Sequence, residues 1–203
     1  MRSLDRPEKR LLLDVARCAL ISAVEGAEPA ASSPCDVPCP ESSGAFVTLE
    51  RRGQLRGCIG EFNSKEPLIK VITRCTRAAA LEDPRFRPVQ TDELPEINIE
   101  ISVLSPPRES KAEGIEPGKH GLIVSRGHRR GVLLPQVATE HGWGAERFLE
   151  EACVKAGLGR QTWKASGVVI ESFTAEAFGE ADVQIDEGRN PPERLKPGYS
   201  IST

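Results

Sequence analysis

Two runs of alternating apolar and polar residues, 45–50 and 54–60, flank Arg51-Arg52-Gly53, and no other feature of the 203 residues constrains the fold as tightly. Alternation with period two marks a strand with one buried face. A short loop ending in glycine marks a hairpin. A three-residue loop pairs Glu50 with Gln54, Leu49 with Leu55, Val47 with Gly57 and Ala45 with Ile59. One face then carries Ala45, Val47, Leu49, Leu55 and Ile59; the other carries Phe46, Thr48, Glu50, Arg56 and Cys58. A two-residue turn would put Arg56 among Val47 and Leu49, because a one-residue slip sends every side chain to the opposite face. The three-residue loop is therefore the expected one.

The remaining segments read as helices and strands in irregular order. Asp5, Pro7 and Glu8 predict a helix start, followed by Leu11, Leu12, Val15, Ala19 and Ala23 at helical spacing. Residues 26–44 are rich in Pro, Ser and Ala and predict an irregular segment. Ser64 and Pro67 open a second helix with Leu68, Ile72, Cys75 and Ala79 inward, and Asp83-Pro84 ends it. Residues 96–104 alternate with Ile97, Ile99, Ile101 and Val103 on one side. Residues 121–125 and 131–134 predict a hairpin across the basic turn Arg126–Arg130. A short helix at Pro135, a longer one over 145–156 and a last strand over 168–178 follow. Residues 179–203 are polar and proline-containing, and predict a loosely ordered tail. Hairpins outnumber crossovers, so the expected fold is α/β of the α+β type: an antiparallel or mixed sheet flanked by helices.

A net charge of -3 and only nine aromatic residues argue against a nucleic-acid platform. No apolar run reaches the length of a membrane span, and the N-terminus lacks a signal core. A cytoplasmic location with reduced thiols is the expectation. Of the six cysteines, Cys18, Cys75 and Cys153 fall on apolar helix faces and are expected to be buried. Cys35 and Cys39 lack the further ligands of a zinc site, so no metal is expected.

Cys58 differs. It shares a face with Arg56 and lies across from Phe46, between Gly57 and Gly60, whose bare backbone would let a ligand approach. A guanidinium that close would lower the thiol pKa and raise the thiolate fraction. Two readings stand, a nucleophilic or redox thiol and a space-filling cysteine with glycines that allow tight packing; the second is the commoner arrangement. Arg85 could contact a substrate carboxylate or phosphate, or Asp83-Pro84-Arg85-Phe86 could be a structural corner. His120 is the best-placed histidine for general-base work, although a Cys–His pair requires hydrogen-bond proximity.

The segments Gly44–Leu49, Leu55-Arg56-Gly57-Cys58-Ile59-Gly60 and Asp83-Pro84-Arg85-Phe86 resemble the AMMECR family, and so do Glu100–Pro107, Gly118–Ile123, Leu133–Val137 and Lys155–Leu158 with Trp163. The similarity is greatest to the group called AmmeMemoRadiSam system protein A, and it spans residues 8–178. It implies one domain over 5–178 with a larger and a smaller lobe, and LRGCIG as the functional segment. Thr48, Phe46, Gly57, Gly60 and Asp83 would line a binding face there. It also implies association with a Memo-like protein and a radical-SAM protein. It names no cofactor and no agreed activity, and a histidine at position 120 is not a fixed feature of the family. The leading expectation is a pathway component or adaptor acting through the LRGCIG face. The alternative is a thiol-dependent enzyme with Cys58 as nucleophile, Arg56 lowering its pKa, and Arg85 or His120 assisting. RNA binding through Arg51, Arg52 and the Arg126–Arg130 turn is the weaker third.

Overall fold

The computed structural model describes residues 2–27 and 44–184. Expectations about Cys35 and Cys39, and about the tail beyond residue 184, lie outside the described residues.

The first helix, α1 (Arg6–Val24), starts as its sequence predicts. Glu8 donates its amide to Asp5 Oδ1 at 2.9 Å, and Asp5 donates its own to Glu8 Oε2 at 2.8 Å. This reciprocal cap satisfies donors that a helix start leaves orphaned. Leu12, Leu13, Ala16, Ala19, Leu20 and Ala23 form the buried stripe. Cys18 is exposed, contrary to expectation. It lies two residues from both Ala16 and Leu20, which on a helix is about half a turn away from the stripe.

Two strands follow, β1 (Gly44–Arg51) and β2 (Gln54–Phe62), then α2 (Leu68–Leu81) and β3 (Ile97–Leu104). β1 lies between β2 and β3, antiparallel to both. Ala45, Val47, Leu49, Ile97, Ile99, Ile101 and Val103 all face one way. They bury against Leu12, Leu20, Val71, Ile72 and Cys75 of the two helices in a continuous core.

The next segment holds β4 (Arg108–Glu109), β5 (His120–Arg126), β6 (Arg129–Leu133), α3 (Pro135–Glu140), α4 (Ala145–Lys155) and β7 (Val169–Gly179). β5 pairs antiparallel with β6 and β7, and β4 pairs with β7. A second core gathers Leu122, Val124, Phe148, Leu149, Ala152 and Cys153. Gly131 is needed there, since a Cβ on it would sit 2.4 Å from the Ala156 amide nitrogen. The β5–β6 loop is the two residues Gly127-His128, so most of the basic segment predicted as a turn is strand.

The chain divides into two compact units. The first runs to Leu104 and resumes at Glu176; the second runs from Ser105 to Ala175. The end of β7 takes the free side of β3 in the first unit. A short helix, α5 (Glu180–Gln184), follows where composition predicts a loose tail. The fold is α+β, with antiparallel strand pairing and flanking helices.

Candidate functional site

The β1–β2 hairpin sets the site, and its register differs from the expected one. Arg52 and Gly53 both adopt positive φ, 54° and 74°, so the loop has two residues and Arg51 pairs with Gln54. Consecutive positive-φ residues match the right-handed twist of the flanking strands. A bulge then shifts the register between Leu49 and Glu50. Beyond it Leu49 opposes Gly57, Thr48 opposes Cys58, Val47 opposes Ile59 and Phe46 opposes Gly60. A short turn and one extra residue restore the parity that a longer turn would have given. Cys58 therefore still lies on the face away from the helices, with Thr48 directly across from it. The Thr48 hydroxyl lies 3.4 Å from the Cys58 sulfur. In β3, Glu100 is the residue beside Thr48 and Ser102 the residue beside Phe46.

The other side of Cys58 is clamped. β2 has β1 on one edge only, and the Cys58 amide donates to Asp83 Oδ2 at 2.9 Å on the outer edge. Arg85 Nη2 donates to the Cys58 carbonyl at 3.2 Å. Arg85 also grips both Asp83 oxygens, Nε to Oδ1 at 2.9 Å and Nη2 to Oδ2 at 2.7 Å. The two side chains thus stand in for one residue of a missing strand. Asp83 is buried, and its hydrogen bonds to the Arg85 guanidinium hold its carboxyl at a pKa of about 2. Asp83-Pro84-Arg85-Phe86 is a structural corner that closes a strand edge.

The expected glycine openings are filled. A Cβ on Gly57 would meet the Ala79 carbonyl oxygen of α2 at 2.2 Å, and one on Gly60 would meet the Phe46 ring at 2.1 Å. Gly57 lets the helix approach the sheet, and Gly60 makes room for an aromatic ring across the strand pair. Neither leaves bare backbone for a ligand on its Cβ side.

Arg56 does not perform the expected task. Its Nε and Nη2 bind the two Glu93 oxygens, each at 2.9 Å, and its Nη1 donates to the Arg87 carbonyl at 2.9 Å. Glu93 also takes Arg51 Nη1 at 2.9 Å and the Gln90 amide at 2.8 Å, and its carboxyl is held at about 2, chiefly by Arg56. Arg56 is committed to a structural network, and the groups acting on Cys58 are others. Burial pushes the Cys58 thiol up, the Thr48 hydroxyl and the Arg85 charge oppose this, and Asp83 and Glu100 add to it. The net shift is upward, the reverse of what an activated nucleophile needs.

Of the expected site residues, Cys58, Thr48, Phe46, Gly57, Gly60, Asp83 and Arg85 come together around β2. His120 belongs to the second unit, where its Nδ1 accepts the Glu116 amide at 3.1 Å. Sequence reading missed Glu93 and Glu100. Glu100 could have been found from the β3 alternation once β3 was placed beside β1. Glu93 lies in a 3-10 turn, Thr91–Glu96, whose sequence carries no periodic signal. Among the described residues, no helix is long and apolar enough to cross a membrane, and no three His, Cys, Asp or Glu side chains group to hold a metal ion.

The AMMECR1 family profile matches residues 13–178. The chain belongs to the AMMECR1 family. A protein of Methanothermobacter thermautotrophicus is 42% identical over 186 residues, covering 87% of this chain and 96% of that one. A protein of Aquifex aeolicus is 37% identical over 181 residues, covering 85% and 93%. Among solved structures, the crystal structure of an uncharacterized protein from Pyrococcus horikoshii is similar with a TM-score of 0.70. That chain is 38% identical, and the match covers 84% of this AMMECR1-family chain and 90% of that chain.

Proposed function

We propose that this AMMECR1-family protein is a non-enzymatic binding component, whose outer sheet face around Phe46, Thr48, Cys58 and Glu100 docks a partner protein. The family resemblance suggests a Memo-like or a radical-SAM protein as that partner. One observation carries the reading: the Cys58 thiol is shifted toward its neutral form while both its backbone groups are tied by Asp83 and Arg85. A rigid, partly exposed, neutral thiol suits recognition better than attack. Rigid elements also reduce the entropy lost on binding.

The test is calorimetric titration of the full chain with the purified Memo-like and radical-SAM proteins of the same genome. Micromolar association is expected with at least one of them. Glu100→Arg, at an exposed position of the face, should weaken it about tenfold, whereas Cys58→Ser should change it by less than about threefold. Substitutions at Gly57 or Gly60 are unsuitable, because they strain the fold itself. Failure of both proteins to bind, or unchanged binding in Glu100→Arg, overturns the proposal.

A further inference from the structure

The sequence holds two basic hairpin tips, and the fold treats them in opposite ways. At the β1–β2 tip, Arg51 binds Glu93 and Glu96, and Arg52 binds Glu96. Those positive charges are answered within the molecule. At the β5–β6 tip Arg126 and Arg129 have no acidic partner among the described residues. Arg126 sits directly opposite Arg129, and Arg130 follows on the other face of the ribbon. Like charges across a strand pair are destabilising. Residues 119–139 contain no Asp or Glu. The Arg126 side chain has no hydrogen bond or ion pair among the described residues, and the Arg129 side chain donates only to the Gly157 carbonyl at 2.8 Å. All residues from Arg126 to Arg130 are exposed. Gly157 lies just beyond α4, so exposed Lys155 in the last turn of that helix borders the same patch, and it has no ion pair among the described residues.

A second, independent feature narrows the partner. β6 has β5 on one side and no strand on the other. In a two-residue hairpin the residues flanking the loop exchange ladder bonds, and the pairs then alternate. Arg126–Arg129 is such a bonded pair, so the amide and carbonyl of Val132 point to the outer edge. No described residue bonds to them there. An extended peptide can use an open strand edge, whereas a nucleic acid cannot. The segment 119–139 also lacks Phe, Tyr and Trp, so bases would find no aromatic platform. Arginine forks match carboxylates bidentately.

We propose that the β6 edge and its arginine tip form a docking site for an extended acidic protein segment, added as a strand along β6 with its carboxylates against Arg126 and Arg129. The site lies in the second unit and does not depend on the proposed role of Cys58.

Fluorescence anisotropy of the full chain tests this with two labelled probes, an alternating Glu-Thr octapeptide and a ten-nucleotide oligouridylate. Each is titrated at 20 mM and 150 mM salt as test conditions, about the range over which screening of exposed charges sets in. The octapeptide should bind more tightly, and more weakly at the higher salt. Arg126→Glu should reduce its affinity about tenfold, and the Arg126→Glu, Arg129→Glu double variant should reduce it further. Hydrogen exchange of the Val132 amide should slow on peptide binding. Tighter binding of the oligouridylate would make the tip a nucleic-acid contact. Peptide binding without protection of Val132 would remove the strand addition. No binding of either probe at low salt would leave the arginines as a guard against edge-to-edge aggregation. Each of these three results overturns the proposal.

Discussion

Cys58 and Arg56 are two residues apart, yet the bulge, in which Arg56 is the extra residue, separates their fates. The guanidinium turns to Glu93 and the thiol turns to Thr48. Because burial raises the Cys58 thiol above its ordinary range, its thiolate fraction at pH 7 should fall below that of a free peptide thiol. Cys75, buried and pushed up to about 11, and Cys153, also raised by burial, should be slower still. Iodoacetamide labelling of the folded protein, read residue by residue by mass spectrometry, should give the order Cys18, then Cys58, then Cys75 and Cys153. Thr48→Val removes a hydroxyl that favours the thiolate and should slow Cys58 further. Arg56→Gln should leave the Cys58 rate unchanged while destabilising the fold by about 2 kcal/mol, because the buried Glu93 carboxylate loses its bidentate partner and keeps only Arg51 and the Gln90 amide. A large drop in Cys58 labelling in Arg56→Gln would restore the arginine as its activator.

At the scale of elements, much of this was legible because burial writes itself into periodicity. β3 shows its buried face as Ile97, Ile99, Ile101 and Val103, and α2 shows its own as Leu68, Ile72, Cys75 and Ala79. The hairpin was legible in parity but not in detail. A two-residue turn plus a bulge leaves the same alternation beyond residue 57 as a three-residue turn, so pattern alone cannot separate them. The Asp83–Arg85 clamp was illegible for another reason: it satisfies one strand edge from a distant corner, and no local pattern encodes that. Its energetics are testable through pH. The carboxyls of Asp83 and Glu93 lie at about 2 in the folded chain, below their ordinary values of 3.8 and 4.5. As pH falls, the unfolded chain therefore binds these two protons first, which draws the equilibrium toward unfolding. The stabilisation is whole above about pH 5 and is lost between about pH 4 and pH 2. Urea unfolding of the native chain should show that loss as a steep acid limb. Asp83→Asn should be less stable at pH 7 and lose less between pH 4 and pH 2, since half of the linked pair no longer titrates. An unchanged acid limb in Asp83→Asn would show that this clamp carries no pH-dependent stability.

The extent of the folded molecule follows from a contact that composition hides. The family profile stops at residue 178, and the polar sequence after it reads as a tail. Glu180 nevertheless works inside the first unit. It accepts Arg17 Nε at 2.9 Å, pairs with Arg17 Nη2, and takes the Ile99 amide at 2.9 Å. Asp182 accepts the Gly179 amide at 2.9 Å. Arg17 also donates to the Ile97 carbonyl at 2.7 Å, so the arginine ties α1 to β3 and Glu180 neutralises it there. A single acidic residue in a short helix thus joins three elements that are far apart in sequence. Charged hydrogen bonds of this kind contribute about 1.5–3 kcal/mol each when one partner is removed. A chain ending at Gln184 should therefore unfold at higher urea than one ending at Phe178, with a difference of about 2–4 kcal/mol. Glu180→Gln in the full chain should show only part of that loss, because it keeps an acceptor for Arg17 and Ile99 while removing the charge. If the two truncations unfold at the same urea concentration, Arg17 is satisfied without Glu180, and the folded unit ends where the profile does.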